Sequence, residues 1–194
     1  VLTIGQRMPL SNIDITDSST IKLEFILQST IDMDISCFAL DSTGKLISDD
    51  YMVFYNQPTS PCGHIKNTGY IQGVSGQKGL AANFEVSLSK LSANIDSLFF
   101  VLSSDSLLNQ LNSLQVGIYQ DAKKAMAEYR PTDFDQQQAS MLIQVYRKSG
   151  VWRIANVAQG FNGGLAAIVR HFGGEVEDES NITARDTTNE NTSK

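Results

Sequence analysis

The sequence predicts an all-β fold, an antiparallel β-sandwich carrying one short internal helix and one C-terminal helix. Three observations predict it. Short runs in which apolar and polar residues alternate recur along the chain, with the period of two that a half-buried strand requires. Turn-forming residues punctuate those runs at short intervals, as at Asp41-Ser-Thr-Gly44 and Lys148-Ser-Gly150. Only two stretches, 105–114 and 161–172, place apolar residues at spacings of three and four. The 194 residues, 41% of them hydrophobic, suffice for one domain with its own core, placed at 1–174.

The elements follow in order. Residues 2–8 and 13–15 are short apolar runs that predict edge strands. Leu23, Phe25 and Leu27 share one face of a strand over 21–27, expected to pair antiparallel with the next strand or its neighbour. In that next strand Ile31, Met33, Ile35, Cys37 and Ala39 alternate with Asp32, Asp34 and Ser36, and the chain reverses at Asp41–Gly44. Tyr51-Met-Val-Phe-Tyr55 is β-branched and aromatic enough for a second strand, which the Pro- and Ser-rich loop 56–63 ends. Gly73, Gly76 and Gly79 mark 70–79 as a mobile connection. Residues 84–88 alternate as a strand, and the continuous apolar run 97–102 reads as the most buried strand.

Leu107, Leu108, Leu111 and Leu114 stand at helical spacing after Ser104 and Asp105, either of which can serve as N-cap. Residues 115–119 and 125–129 form one predicted hairpin, and 140–147 and 151–157 a second around Ser149-Gly150. Leu165, Ile168, Val169 and Phe172 predict the C-terminal helix, stopped by Gly173-Gly174. Beyond it, 175–194 is acidic and polar with almost nothing apolar, and is expected to be a disordered tail.

Composition excludes several functions. A net charge of −6, with no cluster of Lys and Arg, argues against a nucleic-acid partner. No run approaches the ~20 apolar residues of a membrane span, and no signal peptide opens the chain. Cys37 and Cys62 fit neither a metal knuckle nor a disulfide framework, which predicts two reduced thiols in a cytoplasmic protein. His64 and His171 lie far apart in sequence and accompany no nucleophile motif, so each is expected on the surface or in packing, and the protein is expected not to be an enzyme. The Gly160-Phe-Asn-Gly-Gly164 run lacks the lysine of a phosphate loop and predicts a tight turn into the last helix.

Two blocks carry a resemblance. The first is Asp32-x-Asp34, then Gly44-Lys45, Asp49, Val53-Phe-Tyr-Asn56 and a Ser60-x-x-Gly63 loop leading to Thr68-Gly69. The second is Tyr146-Arg147, Trp152, Ala158-Gln-Gly160-Phe161 and Gly163-Gly164-Leu165. In this order they resemble the TerD family of tellurium-resistance and stress proteins, over residues 4–174. The resemblance implies a non-enzymatic role in tolerance to tellurium oxyanions and other stresses. It also implies partner proteins of the same system, near the membrane face.

The family binds calcium through acidic loops, and the matching positions here are Asp32, Asp34 and Asn56, with Asp49 or Asp50 as a further charge. Calcium takes about six to eight oxygen ligands. Where the family's pattern continues into an acid-rich run, this chain has Tyr70, Ile71, Leu80, Ala81 and Ala82. The ligand count therefore predicts a degraded site, with calcium bound at about 10⁻⁴ M or worse, or not at all. Two other readings stand beside it: a metal-independent protein-interaction subunit, and a sandwich that binds a small ligand in a pocket of Tyr70, Trp152 and His64.

Overall fold

A computed structural model of the chain describes residues 1–72, 78–121 and 123–176. The expected tail at 175–194 lies outside these from 177 onward, as do residues 73–77 of the glycine-rich connection. Among the described residues, eleven strands form two antiparallel sheets. They are β1 (Arg7–Pro9), β2 (Thr20–Ser29), β3 (Asp34–Leu40), β4 (Met52–Val53), β5 (Ile65–Gln72) and β6 (Lys78–Ser87), followed by β7 (Ser97–Ser103), β8 (Leu111–Gln120), β9 (Lys123–Tyr129), β10 (Ala139–Lys148) and β11 (Val151–Phe161). The α-helix α1 (Gly164–His171) follows β11. It is too short to cross a membrane, and no helix among the described residues is long and apolar enough to do so.

The six-stranded sheet runs β1-β11-β10-β7-β3-β4 and the five-stranded sheet β5-β6-β2-β8-β9. Alternation places one face of each strand inside. In β2, Ile21, Leu23, Phe25 and Leu27 are buried while Lys22 and Ile26 are exposed. Across the sandwich, Phe100 of β7 meets Phe25 and Phe84 with ring centroids 5.7 and 5.3 Å apart, joining the two sheets through one aromatic cluster. Strand β7 lies between β10 and β3, the central position that its continuous apolar run predicted.

The helix α1 covers the outer face of the six-stranded sheet. Ile168 and Phe172 pack with Phe38, Leu40, Val101 and Met141 in a second, smaller core. Strand β3 is thereby buried on both faces from Ile35 to Leu40, although its alternation predicted a half-buried strand. Burial places the Cys37 thiol well above its ordinary ionisation range.

Both predicted hairpins form, β8 with β9 and β10 with β11, the latter through Ser149 and Gly150 at φ 52° and 76°. Five expectations need correction. No edge strand forms at 13–15, where a 3-10 turn, Leu10–Ile13, ends at Asp14 in the left-handed region. The 21–27 strand pairs with β6 and β8 in the five-stranded sheet, while the Asp34 strand lies in the other sheet. The internal helix expected over 105–114 is a single 3-10 turn, Leu108–Gln110, followed by β8. The predicted strand 51–55 shrinks to two residues flanked by turns. The predicted connection 70–79 is strand at both ends, since β5 reaches Gln72 and β6 begins at Lys78.

A buried polar network fixes the N-terminal segment. The Tyr129 hydroxyl donates to Asn156 Oδ1 at 2.7 Å and to the Leu142 carbonyl at 3.2 Å, and Asn156 Nδ2 donates to the Leu2 carbonyl at 2.9 Å. Each of these groups is removed from water and satisfied by another.

Candidate functional site

The end of the six-stranded sheet where β3 begins holds a cleft of about 310 Å³. Four segments build it. Asp32 and Asp34 lead into β3, Ser103 and Ser104 end β7, Gln138 precedes β10, and Gly163 to Ala166 open α1. Register explains the meeting, because Asp34 pairs with Ser103 and Ser103 with Ala139. Hydrogen bonds then fasten the loops to one another. Ser104 Oγ donates to the Asp32 carbonyl at 2.8 Å, Ser104 N–H to the Gln138 carbonyl at 2.9 Å, and Gln138 Nε2 to the Asp105 carbonyl at 2.9 Å.

The wall contributed by α1 depends on glycine. Gly163 caps the helix at φ 91°, in the left-handed region, and the chain turns from β11 directly into α1. The GFNGG run thus makes the tight turn its composition predicted. The first residues of α1, Gly164 to Ala166, line a cleft that also contains Asp32, Asp34 and Asp105.

Two of the three sequence-derived metal ligands, Asp32 and Asp34, come together here; Asn56 does not. Continuing the β3–β4 register (Cys37 with Val53) would bring Asn56 opposite Asp34. The ladder instead ends at Val53, because Phe54 and Gln57 bond each other at 3.1 Å in both directions and close a turn of their own. The Gln57 side chain reinforces that turn by donating to the Met52 carbonyl at 2.8 Å. Asn56 is left exposed and outside the cleft. Asp49 lines a separate apolar groove with Leu46, Met52 and Val169, and Asp50 lies exposed in the same 3-10 turn as Asp49.

Sequence reasoning missed Asp105 and Gln138 as lining residues. The usable signal was that the strands at 34–40 and 97–103 both meet polar Asp and Ser at the same end, so that pairing them antiparallel gathers those groups. The donor chemistry suits a hard cation, being carboxylate and amide oxygen. Convergence does not: among the described residues no three of Asp, Glu, His and Cys lie close enough to hold one metal ion.

The remaining candidates occupy other settings. Trp152 is buried in the main core, with the Arg147 guanidinium 4.7 Å from its ring centroid, so the pocket proposed around Trp152 and His64 does not form there. The Tyr70 side chain lies outside the described residues. The backbone carbonyl of His64 accepts the Ser87 N–H in the turn before β5, and the His171 ring packs between Phe161 and Phe172 at 5.2 and 5.4 Å. Cys62 is half-buried with Sγ 3.3 Å from Ser60 Oγ.

The TerD domain family model matches residues 1–172. General stress protein 16U of Bacillus subtilis (strain 168) is 31% identical over 153 residues, covering 75% of this chain and 79% of that protein. Tellurium resistance protein TerD of Serratia marcescens is 29% identical over 150 residues, covering 73% and 78%. Among solved structures, the unknown function protein SAV2460 superposes with a TM-score of 0.65 at 15% identity, covering 83% of this chain and all of that one. A homologue of telluride resistance protein (TerD), SCO6318 from Streptomyces coelicolor A3(2), superposes at 0.61 and 13% identity, covering 76% and 93%.

Proposed function

The chain belongs to the TerD domain family, and on that premise we propose that it is a non-enzymatic binding or scaffolding module of a tellurium-resistance and stress-response system. Its partners in this reading are other proteins of that system, at the membrane face of the cytoplasm, and nucleic acid is not among them. The relatives named for general stress and tellurium resistance support the system. The packing of His171 between two phenylalanines and the seating of His64 in a turn support the absence of catalysis.

The cleft at Asp32, Asp34 and Asp105 is the part of the domain that calcium would address, and the observation that carries the reading is its incomplete ligand set. Asn56 is turned away, and three carboxylates that line one cleft do not converge on one point. Ordering the surrounding loops around an ion costs about 1–2 kcal/mol per residue fixed. Calcium is therefore bound at about 10⁻⁴ M or more weakly, or not at all. Isothermal titration with calcium chloride tests this. Micromolar affinity abolished by Asp34→Ala would refute the degraded site, and silence at millimolar calcium would favour the metal-independent interaction subunit.

A further inference from the structure

The turn that carries the chain from β11 into α1 consists of Asn162 and Gly163, both exposed. Its backbone takes a course suited to glycine, since Gly163 and Gly164 stand at φ 91° and 66°. A Cβ at Gly163 would meet one neighbour within 4 Å, the Ala167 side chain at 3.3 Å, so the space beside that residue is otherwise open. An asparagine side chain and the next main-chain nitrogen are held where attack closes a five-membered ring, and a side chain on the next residue is the chief obstruction to it. Here there is none.

Asn162 is the one asparagine in the sequence followed by glycine. Among the described residues the other asparagines are held differently. Asn67, Asn83, Asn112 and Asn156 lie within strands, and Asn12 and Asn109 within 3-10 turns. The Asn156 amide is bonded at both ends, to the Tyr129 hydroxyl and to the Leu2 carbonyl. Asn94 precedes the buried Ile95, whose N–H donates to the Ser92 carbonyl at 3.0 Å. Asn56 is exposed in a turn, as Asn162 is, but its neighbour Gln57 carries a side chain and its N–H donates to the Phe54 carbonyl at 3.1 Å.

We propose that Asn162 is a site of spontaneous deamidation, with water as co-reactant, which forms a new carboxylate at the lip of the cleft of Asp32, Asp34 and Asp105. Gly163 N attacks Asn162 Cγ: the N–Cγ bond forms, the Cγ–Nδ2 bond breaks, and ammonia leaves with the proton of the Gly163 N–H. Water then opens the succinimide at either ring carbonyl and gives aspartate or isoaspartate. No oxidant or reductant takes part. Gly163 lines the cleft and consecutive Cα atoms lie about 3.8 Å apart, so the acid forms within one residue of the cleft wall. Isoaspartate also adds one carbon to the main chain of the turn. Gly164 has little slack to absorb it, being buried where a Cβ would already touch Gln138 at 3.4 Å. That product displaces the wall that α1 gives the cleft, whereas aspartate changes the charge alone. Neither consequence depends on calcium reaching the cleft.

The test ages the full chain in mildly alkaline buffer at physiological temperature, beside a synthetic peptide of residues 154–170, until the peptide is wholly converted. Trypsin releases the same peptide from the aged chain, with unaged chain digested in parallel, and fragmentation separates Asn162 from Asn156 within it. We expect a gain of about 1 Da at Asn162, and methyl transfer from S-adenosylmethionine to that peptide by isoaspartyl methyltransferase. Asn162→Gln, at an exposed position, would need a six-membered ring and should lower both signals by about tenfold or more. No conversion at Asn162 of the folded chain by the time the free peptide has reacted overturns the proposal. So does equal conversion at Asn56, or methyl acceptance undiminished in N162Q.

Discussion

Replacing Phe100 by alanine tests whether the sandwich is held together where its two sheets meet. The ring is fully buried and contacts Phe25 of β2 and Phe84 of β6 from β7, so its removal opens a cavity between the sheets rather than at an edge. Large-to-small changes at such sites cost about 3–5 kcal/mol, which includes lost transfer energy and the cavity left behind. Two aromatic pairs, each contributing about 0.5–1.5 kcal/mol beyond burial, place Phe100→Ala in the upper part of that range. Against a total stability of about 5–15 kcal/mol the loss is large. At about 2–4 °C per kcal/mol for a chain of this size, the melting temperature should fall by about 10 °C or more. Equilibrium urea denaturation of wild type and variant, with the slope unchanged, measures it. A loss below about 1 kcal/mol would refute the placement of β7 at the centre of the core.

Tyr129→Phe removes the donor to Asn156 Oδ1 and Leu142 and leaves buried acceptors unmatched, so it should cost about 1–3 kcal/mol. Because Asn156 also holds the Leu2 carbonyl, amide exchange at Leu2, whose N–H bonds Met126, should accelerate in the variant; unchanged exchange would count against the network. Cys37 gives a pH prediction. Its folded-state pKa is raised by burial, so its contribution is complete below the free thiol's value, near about 8.5, and is lost as pH rises above it. Stability should fall by about 1.4 kcal/mol per pH unit there from this group, and Cys37→Ala should flatten that slope between about pH 8.5 and 10. An equal slope in the variant would show that the thiol is not sealed from water.

The residues expected or found at the cleft behave differently toward sequence reasoning. Asp32 and Asp34 are neighbours along the chain, so any local structure keeps them together, and both line the cleft. Asn56 required a strand to continue past Val53, and the closed Phe54–Gln57 turn prevented it. Asp105 and Gln138 enter the same cleft from 71 and 104 residues beyond Asp34, through pairing of β3 with β7 and of β7 with β10. Nothing local to either residue announces that meeting.

By itself the sequence determined the sandwich class, the two hairpins, the central strand 97–102 and the terminal helix, because alternation and turn chemistry act over a few residues. The tertiary structure decided which strands share a sheet. A strand that turns back beside its predecessor and one that crosses to the opposite sheet carry the same alternation, and β2 and β3 took the second course. It also decided the fate of Leu111 and Leu114. Their spacing of three suggests a helix, yet a β-bulge between the Gln28–Ser113 and Ser29–Leu111 pairs inserts one residue and returns both leucines to the buried face of β8. Burial of β3 on both faces likewise came from α1, more than a hundred residues later in the chain, whose docking on Phe38 and Leu40 no local pattern encodes. Periodicity reports which face of an element is apolar, and only packing decides what covers it.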